Sequence, residues 1–188
     1  MLIPQHGNKN ITFGFVCAVS LALKKAGLWQ RKPNNKINMA TRSVIAKLNP
    51  KTKEIKAVYC HNDGYLEHVG TKLDSYYQNE NEVDELLSYG DISSLDKNIG
   101  EKVDFGDYES IRKNKQCVFY NRDRNEERIT HTSKDDIALL DFAFESCDAQ
   151  YVYLYAYGAW YVYDNSNKIG NCSYQFVELE DVLQSVYK

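Results

Sequence analysis

The sequence predicts an α+β fold: a single domain over residues 39–188, with an antiparallel sheet built from hairpins and helices packed on one face. Three observations predict it. β-prone runs come in consecutive pairs joined by short turns, which implies antiparallel pairing. Amphipathic helical periods separate those pairs. The composition, 43% hydrophobic and 26% charged, is that of a globular chain with a core.

Thr41–Leu48 and Glu54–Cys60 are the first two strands, and Asn49-Pro50 between them is turn chemistry. Asp63-Gly64 ends the second strand at a tight turn. Leu66, Val69, Leu73, Tyr76 and Tyr77 recur at helical spacing up to about Gln78. A second helix is predicted from Val83 to Tyr89, stopped by Gly90, with a further helical turn over Asp91–Leu95. The charged stretch Lys97–Asp107 reads as irregular.

Gln116–Tyr120 reads as a strand, Asn121–Arg128 as a polar turn, and a weaker strand runs on through Thr130. Ser133 is the predicted cap of a helix bearing Ile137, Leu140, Ala143 and Phe144. Tyr151, Tyr153, Tyr155 and Tyr157 alternate with Val152, Leu154 and Ala156, the period of a strand. Gly158 turns that strand into Trp160–Tyr163, and a last strand end and a helix close the chain around Val177–Val186.

Charge divides the chain. No Asp or Glu precedes Glu54, and the residues before it hold ten Lys or Arg. From Met39 onward there are seventeen basic and twenty-six acidic residues, a net of −9. A body of that sign is repelled by phosphate backbones, so sequence-independent nucleic-acid binding is not expected. The apolar run Ile11–Leu23 would span only about 20 Å as a helix, short of the ~30 Å of a bilayer core, so no membrane span is expected. It also fits signal-peptide form poorly. Residues 1–38 therefore read as a basic leader, or an upstream translation extension, that packs poorly on the body and is dispensable. Five Cys without a CxxC pair read as reduced thiols of a cytoplasmic protein.

Chemistry has few candidate places. Cys60, His61 and Asp63 crowd one strand end, but neighbours on a strand face opposite ways, so thiol and imidazole do not pair readily. No zinc or calcium spacing and no nucleotide-fold or hydrolase motif is present, so no metal or cofactor is expected. Arg122, Asp123 and Arg124 form a dense turn whose guanidinium forks suit a carboxylate or phosphate. Together with His61, Asp63 and Tyr65 they make a candidate site for a nucleotide-like anion, sequestered or hydrolysed. Tyr151, Tyr153, Tyr155 and Tyr157 form a buried face, a partner surface or a stacking platform for bases, the last disfavoured because the body is acidic. Glu80, Glu82, Asp84 and Glu85 offer an acidic stripe to a basic partner.

Several of these segments carry a resemblance. They are Met39-Ala40-Thr41-Arg42-Ser43, Tyr59-Cys60-His61 with Asp63-Gly64-Tyr65, and Gly90-Asp91-Ile92-Ser93-Ser94-Leu95. Tyr120 with Arg122-Asp123-Arg124, and the Tyr-rich hairpin with Trp160-Tyr161, complete the set. In these the chain resembles a family of small, mostly uncharacterised proteins encoded by tailed bacteriophages and prophages. It departs at Asn62, where an aromatic is usual, and at Asn125, where Gly is usual. The resemblance implies a cytoplasmic accessory protein and brings no established activity. The expectation is a non-enzymatic binder of a host or defence-system protein, with the anion site as the alternative.

Overall fold

The computed structural model describes residues 40–165 and 175–186; the leader, residues 1–38, lies outside them. Among the described residues eight strands form one sheet: β1 (Ser43–Leu48), β2 (Ile55–Cys60), β3 (Ile92–Ser94), β4 (Val118–Phe119), β5 (His131–Ser133), β6 (Tyr151–Ala156), β7 (Ala159–Asp164) and β8 (Val177–Glu178). The order is β4-β3-β2-β1-β6-β7-β8, and β5 also pairs with β2. The described helices are α1 (Thr71–Tyr76), α2 (Glu80–Ser88), α3 (Tyr108–Asn114), α4 (Tyr120–Arg124), α5 (Asp136–Asp141) and α6 (Leu179–Val186). Short π-helical turns, Leu66–Gly70 and Phe142–Ser146, precede α1 and follow α5.

Two of the three expected strand pairs form hairpins; in the third, Val118–Phe119 pairs with β3 and His131–Ser133 with β2 instead of with each other, because the turn between them folds into a helix. β1 pairs antiparallel with β2 from Ser43↔Cys60 to Leu48↔Ile55. The Asn49 side chain accepts hydrogen bonds from the Lys51 and Thr52 amides at the turn, as an Asx turn does. β6 and β7 join through Tyr157 and Gly158, both at positive φ (54° and 85°), the geometry of a two-residue hairpin turn.

The fold is α+β and mostly antiparallel, with two departures from the sequence expectation. β1 pairs parallel with β6, and β2 pairs parallel with β3 at Cys60↔Ile92. Hairpin turns dictate pairing only within each hairpin; how two hairpins abut is left to the chain between them. The second departure concerns the helices. The main helical layer packs on the face bearing Ile45, Val58, Tyr153 and Val162, where it buries Val69, Leu73, Leu86 and Leu179. On the opposite face, the Phe144 ring from the turn after α5 contacts Tyr163, 5.5 Å between centroids. Helical structure therefore lies on both faces.

Three local expectations are corrected. Ile92–Ser94 is a strand, because its carbonyls accept the amides of His61 (2.9 Å) and Asn62 (3.1 Å), a pairing no helical turn could make. Tyr120–Arg124 is a helical turn rather than an open polar one, since Arg122 and Asp123 point inward. α5 is capped by Asp135, which accepts the Ala138 amide at 2.8 Å, while Ser133 ends β5.

The tyrosine strand is mostly core. Tyr153 and Tyr155 are 0% and 3% exposed. Their hydroxyls donate to the carbonyls of Gly64 and Gln78, both at 3.0 Å, so each ring is buried while its polar tip is satisfied. Tyr151 is half-buried and Tyr157 faces solvent from the turn. A four-tyrosine partner surface is thereby removed, because the helical layer covers its middle.

Candidate functional site

The end of the sheet where β2 finishes gathers segments distant in sequence. The Gly64 amide donates to the Thr41 carbonyl at 2.7 Å, drawing the turn after β2 against the start of β1. Asp91, just before β3, accepts the Tyr59 amide through its carboxylate at 2.9 Å and the Tyr120 amide through its carbonyl at 3.1 Å. Residues 41–43, 59–65, 91–94 and 120–124 thus meet at one place.

Strand alternation puts Tyr59 and His61 on the same face, opposite Cys60, whose side chain joins the core. The Tyr59 hydroxyl and His61 Nδ1 share a hydrogen bond of 2.7 Å. Burial pushes the Tyr59 phenol up to about 12. Burial, and then the positive charges of Arg42 and Arg124, hold His61 below its ordinary value. At neutral pH the phenol is protonated and the ring neutral. With Tyr59 donating to Nδ1, the ring proton sits on Nε2, which has no hydrogen-bond partner among the described residues.

Arg124 is held from both sides. Its guanidinium lies 4.6 Å from the Phe105 ring centre and 4.7 Å from that of Tyr120. Nε pairs with Glu126 at 2.7 Å, and the two terminal nitrogens make no hydrogen bond to the described residues. Arg42 pairs through Nη1 with Asp148 at 2.7 Å, an exposed carboxylate at the rim. The charges of Arg42 and Arg124 both act on His61, and each guanidinium keeps donors that no described residue takes, an arrangement suited to an anion.

Arg122 has a different place. Its Nε and Nη2 grip both oxygens of Asp123, at 2.8 and 3.0 Å. Nη1 donates to the carbonyls of Ile99 and Gly100, and Nη2 to that of Cys117. Asp123, with a fully buried side chain, also accepts the amides of Val103 and Phe119. The pair is an internal clamp that ties segment 99–103 to α4, with no donor left for a ligand. Of the Arg-Asp-Arg turn, only Arg124 reaches the site.

Asp63 is exposed at φ 55° and shapes the turn; Tyr65 packs beside His68, 5.9 Å between ring centres. The acidic stripe on α2 is partly used locally. Glu82 completes a capping box with Asn79, and Lys47 pairs with Asp84 at 2.8 Å and Glu80 at 3.6 Å. Those groups border a cavity of about 500 Å³ at the other end of β1 and β2. Its lining sets Lys47, Lys51 and Lys56 beside Glu54, Glu80 and Asp84, so it offers no one-signed site. Cys60 and Cys117 are buried free thiols, and burial pushes Cys60 up to about 12, the opposite of an activated nucleophile. Among the described residues, no group of three or more His, Cys, Asp or Glu could hold a metal ion. None of the described helices is long and apolar enough to cross a membrane.

Arg42, Tyr59 and Tyr120 were missed in the sequence. Tyr59 was reachable, two residues before His61 and hence on the same strand face. Arg42 and Tyr120 join only through tertiary pairing. No family model matches the chain, and no curated protein or solved structure is significantly similar to it.

Proposed function

We propose that the protein binds a small phosphate-bearing or nucleotide-like anion between Arg42, His61 and Arg124, and sequesters it. The observation carrying this reading is the set of unbonded donors, Arg124 Nη1 and Nη2 and His61 Nε2, under the field of two arginines. Their aromatic supports hold them in place before a ligand arrives, which lowers the ordering cost of binding. Sequestration ranks above hydrolysis because the hydrogen-bond partner of His61 is a phenol that keeps its proton. A general base is normally oriented by a group that stabilises its charged form. The resemblance adds only the setting, a cytoplasmic accessory protein of phage origin.

Titration with sulfate and pyrophosphate, followed by the His61 ring signals in NMR, tests the site. An anion opposes the depression of the His61 pKa, so binding should take up a proton. Affinity for sulfate, whose charge is constant here, should therefore rise as pH falls toward and below the ordinary histidine range, because the free His61 takes its proton lower than usual. Arg124→Ala should weaken binding by about 10- to 100-fold, the worth of charge-assisted hydrogen bonds. Unchanged His61 signals at saturating anion would falsify the assignment.

A second reading keeps a host or defence-system protein as partner. Its support is the net charge of −9 and the exposure of Glu80, Asp84 and Glu85 along α2. Reversing these three to Lys should abolish capture of a specific protein from infected-cell extract. If the reversed chain captures the same protein equally well, the acidic stripe is not the surface.

A further inference from the structure

Resting on the anion-site reading, we propose that the ligand is a nucleotide whose base stacks on Tyr108 while Arg124, Arg42 and His61 hold its phosphates. Tyr108 is the first residue of α3 and is 64% exposed. Such exposure is not the rim of a packed face, because α3 contains no buried residue at all. The ring stands 6.2 Å, edge-on, from Phe105, and Phe105 is the ring covering Arg124 at 4.6 Å. An open aromatic platform therefore lies one ring beyond a guanidinium whose terminal nitrogens no described residue takes, an order of base and phosphate sites that suits a nucleotide.

The arrangement is braced from below. Arg122 holds the carbonyls of Ile99 and Gly100, and Asp123 holds the Val103 amide, so the segment carrying Phe105 is tied to the helix carrying Arg124. Lys102 bonds Asn125 at 2.7 Å and adds a cation to the same rim. Stacking on a π-face tolerates any base, so the platform selects nucleotides as a class. The acidic body, net −9, opposes an extended strand with its many phosphates and favours a mononucleotide.

Calorimetric titration of the full chain with a nucleoside diphosphate and with pyrophosphate is the test. The nucleotide should bind about 10-fold tighter or better, the scale of one base stacked on one aromatic. Tyr108→Ala should erase that advantage and leave pyrophosphate affinity unchanged, whereas Tyr108→Phe should retain it. Arg124→Ala should weaken both ligands. Equal affinity for the two, or a Tyr108→Ala variant that still prefers the nucleotide, would overturn the stacking proposal while the anion site stands. Binding of neither ligand would overturn both. The exposure of Tyr108 on a helix without a buried face keeps folding out of the comparison, and an unchanged melting temperature in Tyr108→Ala verifies that.

Discussion

Arg122→Ala is expected to destabilise the protein by about 3–5 kcal/mol, the cost of leaving a buried carboxylate without its counter-charge. Asp123 is 0% exposed on its side chain and Arg122 only 11%, so water cannot take the missing place. Three backbone carbonyls lose their donor in the same step. The guanidinium also leaves its position 4.8 Å over Phe119. Arg122→Lys should recover little, because an ammonium cannot reproduce the planar fork. Arg124→Ala, by contrast, removes a partly exposed ion pair and should cost about 1 kcal/mol or less. Urea denaturation of the variants separates the roles: a large fall in midpoint for Arg122, a loss of anion binding with near-normal stability for Arg124. Equal losses from both would remove the division between clamp and ligand-binding arginine.

Gly64→Ala should be the most damaging small substitution at the site. A Cβ at Gly64 would lie 2.8 Å from the Thr41 oxygen, the Arg42 carbonyl carbon and the Ser43 Cβ. Two of those atoms are backbone, so the turn after β2 must move away from the start of β1. Overpacking of that kind costs about 1–3 kcal/mol. The shift would separate Arg42 from His61 and should weaken anion binding beyond what the stability loss explains. Gly106→Ala is the control, because its Cβ meets nothing nearer than 3.6 Å; it should change stability by less than about 0.5 kcal/mol. Comparable losses at both glycines would mean that close approach at Gly64 does not matter.

The site was half legible in the sequence. His61 and Arg124 stood out as residue types that suit an anion. Arg122 looked equivalent to Arg124, since nothing in a run of alternating charges tells which side chain turns inward. The decision rests on carbonyls at 99, 100 and 117, which no local pattern foretells. Ile92–Ser94 shows the same limit, because three residues make a strand only when neighbours supply the ladder.

By itself the sequence determined the α+β class, both hairpins with their turns, the helical periods around Leu73 and Leu86, and the acidic balance of the body. These follow from local rules, the periods of two and 3.6 and the turn residues, which act over a few positions. The tertiary structure alone decided that the tyrosine strand is covered on both faces, that β1 and β6 run parallel, and which arginine is buried. It also decided that Arg42, Tyr59, His61, Tyr120 and Arg124 share one end of the sheet. The physical reason is that alternation makes two faces distinguishable without saying what covers either, and that charge shows no direction until the chain around it has folded.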